Sequence, residues 1–147
     1  ARDWPRIWPL FATVISTGDT YTVPPEASES EGRAYWMDRA LPVYIAEEDG
    51  KLVGTYCLRV NFPGLSSHIA NAGYVVDRPF RGRGVGRQLV EDSITRAPTV
   101  GFDAIQFNLV FESNPARRLY EELGWVQIGR VPDAVEGEAA IIYLRAV

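Results

Sequence analysis

Apolar residues near the start of the chain recur at helical spacing. Ile7, Leu10, Phe11, Val14 and Ile15 stand at i, i+3, i+4, i+7 and i+8, which predicts a helix face that stops before Gly18. Pro5 suits a first helical turn, whereas Pro9 is expected to delay or kink the helix start. Residues 24–33 are polar and loop-like, and a short helix carrying Tyr35, Trp36 and Met37 is predicted after them. The period then changes. Val43–Ala46 and Leu52–Val60 read as strands flanking Asp49-Gly50, a strong hairpin signal. Ile69–Val76 gives the next strand, and Gly84–Arg96 reads as a helix with Val85, Leu89, Val90 and Ile94 on one side, closed by Pro98. Ala104–Phe111 is a further strand. Asn114 then reads as a helix cap with Pro115 at the first position, Ala116, Leu119, Tyr120 and Leu123 along one face, and Gly124 at the end. Val126–Arg130 and Ala139–Leu144 look like two closing strands. This order predicts a single α/β domain with a mixed sheet and helices on both faces, without repeats or an internal boundary.

Composition narrows the class. The 147 residues suffice for one well-cored domain and fall short of two. No apolar run approaches the ~20 residues that cross a bilayer, and no signal-peptide pattern is visible, so a cytoplasmic protein with no membrane partner is expected. The chain opens Ala1-Arg2-Asp3, without an initiator Met, and is expected to be trimmed or incompletely represented. A net charge of −4 argues against nucleic-acid binding. The single Cys57 excludes an intramolecular disulfide, fits a reducing compartment, and sits in a strand-like run where an inert buried thiol is expected. One His and one Cys cannot build the usual metal site, so no metal is expected. The lone His68 reads as a solvated strand end and offers nothing for a Ser-His-Asp hydrolase.

The segment richest in chemistry is Arg81-Gly82-Arg83-Gly84-Val85-Gly86, followed by Arg87, at the junction of a predicted strand and helix. Unhindered backbone N–H groups, the positive end of a helix dipole and guanidinium charge converge there, which suits a pyrophosphate. A P-loop would need Gly-Lys-Ser/Thr, which is absent, and a dinucleotide turn would need Gly-x-Gly-x-x-Gly, whereas here Gly82, Gly84 and Gly86 alternate.

The same six residues match the Gln/Arg-x-x-Gly-x-Gly/Ala signature of the Gcn5-related N-acetyltransferase (GNAT) superfamily. Downstream, Asn114-Pro115-Ala116-Arg117-Arg118-Leu119-Tyr120-Glu121-Glu122-Leu123-Gly124-Trp125 resembles its second signature, Asn-x-x-Ala-x-x-Leu-Tyr-x-x-x-Gly-Phe, with Trp125 in place of Phe. Both occur in the right order and spacing, so the resemblance covers residues from about 43 onward. It implies a GNAT fold with a mostly antiparallel mixed sheet splayed in a V, and acetyl-CoA as co-substrate. The pantetheine arm would pair with backbone at Tyr74, Val75 and Val76, and the pyrophosphate would rest on residues 82–87. A backbone N–H near Val75 and Val76 would hold the oxyanion. Asn114 and Arg117 join the expected cofactor-binding residues, and Tyr120 is expected to give a proton to the departing CoA thiolate. A phenol near ~10 and a thiol near ~8.5 are close enough for such a transfer. The family's usual N-terminal strand is expected to be missing before Ala1.

For the acceptor, many superfamily members place a Glu general base where Asn71 stands. Asn71 and Asn108, with Ile128–Pro132 later, resemble instead the fungal acetyltransferases that act on proline analogues such as azetidine-2-carboxylate. That resemblance implies that the two asparagines hold an amino-acid acceptor, and carboxamides suit a zwitterion because they both donate and accept. Residues 133–138 form a short segment between the closing strands, and the acceptor wall built there is expected to differ from that of the fungal enzymes. Glu112 is the nearest candidate base, with a water relay or backbone carbonyl as alternatives. Tyr21, Tyr35 and Trp36 fall where the superfamily builds its variable acceptor wall, with aromatic core packing as the plainer reading. The resemblance thus implies an N-acetyltransferase for a small-molecule amine. The alternatives are a protein or peptide acetyltransferase and a non-catalytic acyl-CoA sensor, and a homodimer is allowed.

Overall fold

The computed structural model describes residues 2–17, 23–38 and 42–147; Tyr21 lies outside them. The chain divides into two compact units, one of Ala1–Arg59 with Gly73–Val90 and one of Val60–Ala72 with Glu91–Val147. The strands pair in the order β1-β2-β3-β4-β6-β5, where β1 is Val43–Glu48, β2 Lys51–Val60, β3 Ile69–Val76, β4 Ala104–Phe111, β5 Val126–Val135 and β6 Glu138–Ala146. The mixed α/β class read from the sequence is correct.

In the first unit, helix α1 (Trp4–Ile15) buries Ile7, Phe11, Val14 and Ile15, the predicted face. Pro5 stands in its first turn, and Pro9 lies inside the helix instead of marking its start. Pro9 forfeits only its own N–H bond to the carbonyl one turn back, and the buried aromatic face holds the helix through that gap. Helix α2 (Glu29–Arg33) starts with a capping box: the Ser28 backbone N–H donates to Glu31 at 2.8 Å and the Glu31 N–H donates to the Ser28 hydroxyl at 3.4 Å. It runs into a π-helical turn, Ala34–Asp38, that carries Trp36 to full burial beside Phe11, their rings 5.0 Å apart. Trp36 and Tyr35 are packing residues here, Tyr35 stacking on Phe11 at 6.2 Å.

The β1–β2 hairpin turns at Asp49 and Gly50, whose φ values of 50° and 76° are the left-handed pair that the Asp-Gly signal predicts. Cys57 is fully buried in β2, and burial pushes its thiol pKa up, as the inert-thiol reading requires. Gly54 of β2 allows helix α3 (Val85–Arg96) to approach. A Cβ there would stand 3.0 Å from Leu89 Cδ1, 3.1 Å from the Val75 carbonyl oxygen and 3.3 Å from Val85. The carbonyl is strand backbone and cannot yield cheaply. Gly54→Ala should therefore cost ~1–3 kcal/mol, read as a lower midpoint in thermal unfolding, and an unchanged midpoint would contradict this packing.

In the second unit, β3 pairs in parallel with β4 through Ile69↔Ala104 and Ala70↔Ile105. β4 and β6 run antiparallel with a register shift between Phe107 and Val110. Ile105, Phe107, Trp125, Ile141 and Tyr143 form the buried centre. The closing hairpin differs from the expectation. β5 continues past Arg130 to Val135, and the turn is only Glu136-Gly137, both at positive φ. Residues 133–135, read as part of a connection, belong to the strand, with an irregularity between Val131 and Val135 that holds Asp133 at φ 50°. Pro132 is tolerated within β5 because this is the sheet's last strand, where a missing N–H need not break the ladder.

Helix α4 is also shorter than predicted. It spans Arg117–Glu122 with Ala116 at its cap, and Pro115 lies in the preceding turn. Asn114 does not cap the helix itself. Its Oδ1 accepts the Ala116 N–H at 2.9 Å and so closes the turn that leads into it.

Candidate active site

Residues 81–84 form an exposed turn before α3, with Gly82 at φ 74° and Gly84 at φ 83°. A Cβ on either glycine would meet nothing within 4 Å, so their backbone lies open to a ligand. Gln88 makes a helical bond back to Gly84 at 3.1 Å, which leaves the amides of Val85 and Gly86 among those that α3 cannot satisfy itself. The turn's charge is less concentrated than its sequence suggests. Arg83 pairs with Glu48 at 3.1 Å and lies over the Phe80 ring at 5.0 Å, while Arg81 donates to the Val76 carbonyl at 3.4 Å. Arg87 is exposed on the first turn of α3. Along β3, Val75 is buried, whereas Tyr74 and Val76 are half-buried, with Tyr74 against Tyr56 at 5.9 Å.

Tyr120 projects from α4 into an aromatic group of the second unit, its ring 4.6 Å from Phe107, 5.8 Å from Trp125 and 6.3 Å from Tyr143. Its hydroxyl makes no hydrogen bond among the described residues. Burial pushes its pKa up to about 12. The near match of phenol and thiol assumed from the sequence is therefore absent. The phenol stays protonated at every working pH and is a weaker acid than a free tyrosine. Trp125 stacks on Phe107 at 4.9 Å but buries its indole N–H without a hydrogen bond, a cost that the Phe of the signature would avoid.

Asn71 and Asn108 belong to one carboxamide cluster of the second unit. Asn71 Nδ2 donates to the Gln106 carbonyl at 3.0 Å, next to the last β3–β4 pair. Asn108 lies exposed at the β4 register shift and exchanges two hydrogen bonds with Asn61: Asn61 Nδ2 donates to Asn108 Oδ1 at 3.2 Å and Asn108 Nδ2 donates to Asn61 Oδ1 at 2.6 Å. Gln106 Nε2 also donates to Asn108 Oδ1, at 3.1 Å. Side chains alternate along β4, so Gln106 and Asn108 stand on the face opposite Phe107 and its partner Tyr120. Asn61 and Gln106 were not singled out as site residues by sequence reasoning. Gln106 lies in the strand that carries Asn108, but Asn61 is 47 residues away and only the fold brings it there.

Glu112 is occupied. Arg130 donates to it from two nitrogens, at 2.6 and 3.2 Å, and this hydrogen bonding holds its carboxyl below the usual carboxylate range. Such a group is poorly suited to take a proton from an ammonium. Glu112→Gln should leave the acid limb of the kcat/KM profile in place and lower the rate far less than the ~100-fold that losing a general base costs; a 100-fold loss would restore Glu112 as the base. Arg117 donates to Tyr143 Oη and to the Glu112 carbonyl, each at 3.0 Å, and stands 3.9 Å from Glu121. His68 is exposed just before β3, as expected of a solvated strand end.

The open glycine turn at the start of α3 and the tyrosine-bearing α4 carry the two sequence signatures. The chain belongs to the acetyltransferase (GNAT) family, whose family model matches residues 8–125. A solved GCN5-related N-acetyltransferase from Kribbella flavida is 37% identical and superposes with a TM-score of 0.90 over 99% of this chain and 93% of that one. The N-acetyltransferase aca1 of Schizosaccharomyces pombe is 39% identical over 84 residues, which span 56% of this chain and 40% of that protein. A phosphinothricin N-acetyltransferase of Alcaligenes faecalis is 31% identical over 134 residues, 86% of this chain and 67% of its own.

Proposed function

We propose that the protein transfers the acetyl group of acetyl-CoA directly to the amine of a small molecule, and that this acceptor is an amino acid or a proline-like imino acid. The observation that carries the first half is the family match over 8–125 together with the open glycine turn and a tyrosine in the second signature. The second half is supported by the carboxamide cluster and by the similarity to a phosphinothricin N-acetyltransferase.

In this reading acetyl-CoA supplies an activated thioester. The amides of residues 82–87 hold the pyrophosphate, with Arg81 and Arg87 adding charge and Arg83 restrained by Glu48. The backbone of Tyr74, Val75 and Val76 pairs with the pantetheine arm, and an amide of Val75 or Val76 steadies the developing oxyanion. Asn114 contacts the arm, and Arg117, whose guanidinium is shared with Tyr143 and the Glu112 carbonyl, contributes charge. Asn71 and Asn108 orient the acceptor. As the amine nitrogen bonds to the carbonyl carbon, the carbon–sulfur bond breaks, the sulfur leaves as a thiolate that takes a hydrogen bond from the Tyr120 phenol, and the nitrogen sheds its proton through water, which returns one to the sulfur. With Glu112 tied to Arg130, that relay is preferred over a carboxylate.

Free-thiol release from acetyl-CoA, measured against azetidine-2-carboxylate, phosphinothricin, other amino acids, polyamines and peptide N-termini, tests the reading. Turnover confined to amino or imino acids is expected. Faster turnover of peptides would contradict the acceptor class, and binding of acetyl-CoA with no turnover on any amine would leave only a sensor.

A further inference from the structure

Resting on the acceptor reading above, we propose that Asn61 and Gln106 convert Asn108 into a one-way donor that selects acceptors with a free carboxylate, with Asn61 as a positioning residue.

A carboxamide ordinarily offers two N–H donors and an oxygen with two lone pairs, so an isolated asparagine can meet an ammonium or a carboxylate equally well. Asn108 has lost that freedom. Its oxygen accepts from both Asn61 Nδ2 and Gln106 Nε2, which fills both lone pairs. One of its own N–H groups is spent on Asn61 Oδ1 at 2.6 Å. What remains is a single N–H on an exposed side chain. The two-bond exchange with Asn61 also fixes the plane of the amide and so the direction of that N–H. Asn61 Nδ2, Gln106 Nε2 and Asn71 Nδ2 each keep one N–H beyond the bond they make. At Asn108 the cluster therefore presents a donor without a formal charge. Such a surface favours an anion that only accepts, and a carboxylate is the matching group on a small amine. It offers no charge to attract a polyamine and no carboxylate to pair with an ammonium. The amine end of the acceptor is thus left free for the thioester, and the carboxylate end is the one recognised.

The decisive substitution is Asn61→Asp. An aspartate can still accept from Asn108 Nδ2 but cannot donate to Asn108 Oδ1, and its negative charge opposes a bound carboxylate. Asn61→Ala removes both bonds and lets the Asn108 amide turn. Dissociation constants of L-azetidine-2-carboxylate and its uncharged L-azetidine-2-carboxamide are measured by calorimetry on the wild type and both variants with CoA present. One charge-assisted hydrogen bond corresponds to ~10- to 100-fold in affinity. The wild type should prefer the carboxylate at least ~10-fold, and both variants should lose that preference while holding the carboxamide as before. A role limited to folding would weaken both probes together. A wild type without the preference, including one that binds neither probe, or variants that keep it, would overturn the inference. A carboxylate preference with no thiol release from acetyl-CoA would sustain this proposal and refute the transferase reading, so the two failures are distinct.

Discussion

Replacing Tyr120 with Phe is expected to lower kcat by ~10- to 100-fold near neutral pH while changing the KM for acetyl-CoA little. General acids contribute ~100- to 10,000-fold, and two features of the site place Tyr120 at the low end. CoA leaves as a thiolate of only moderate basicity. The phenol, pushed up to about 12 by burial, is ~3.5 pH units weaker than a thiol near ~8.5, so complete proton transfer costs ~5 kcal/mol before any ligand alters the balance. In the proposed reaction the hydroxyl therefore acts chiefly as a hydrogen-bond donor to sulfur, and the loss on substitution should shrink above about pH 9, where an unprotonated thiolate departs unaided. The ring contacts survive in Phe and the hydroxyl has no partner to lose, so stability at pH 7 should be nearly unchanged. At high pH the sign is fixed. The folded pKa lies above the ordinary phenol value, so wild-type stability is whole below ~10 and falls by ~3 kcal/mol as the pH rises to about 12, whereas the variant escapes this loss. An unchanged kcat at every pH would remove Tyr120 from the reaction.

The second large effect belongs to the glycine turn. Gly84→Val forces a β-branched residue to φ 83°, a conformation that such side chains avoid, and puts methyl groups into the space above the turn that is otherwise open. If that space receives the pyrophosphate, several charge-assisted bonds to backbone amides weaken together, each worth ~1.5–3 kcal/mol. The KM for acetyl-CoA should rise at least ~30-fold, with a smaller change in the KM for the acceptor. Arg83→Ala should do much less, because Arg83 is engaged by Glu48 and Phe80. Equal effects of the two substitutions on both substrates would argue that the turn is structural only.

The parts of this architecture governed by local periodicity were legible in the sequence. The face of α1, the Asp49-Gly50 hairpin, the β3 and β4 strands and the glycine turn follow from spacing and turn chemistry acting within a few residues. What escaped was set by distant partners. Pro9 is carried inside α1 by the packing of Phe11 and Trp36, which no local rule registers. The strand read as ending at Arg130 runs through Pro132 to Val135, which is tolerated because β5 is the last strand of the sheet. The start of α4 moved to Arg117 because Asn114 spends its side chain on the turn ahead of it. Tyr120 and Asn108 stood out in the sequence as candidates, but their surroundings did not: the about-12 pKa comes from burial, and the filled oxygen of Asn108 from Asn61 across the unit. Glu112 shows the same limit, since its neutralisation comes from Arg130 on β5.

The central claim is direct transfer of acetyl from acetyl-CoA to the nitrogen of an amino or imino acid. Incubation with acetyl-CoA carrying an isotope-labelled acetyl group, with each acceptor followed by mass spectrometry, tests it most directly. The account predicts labelled N-acetyl product formed in step with free CoA, for acceptors bearing a carboxylate, and lost in Asn108→Ala. Free CoA without labelled product, or label on amines regardless of a carboxylate, would contradict it.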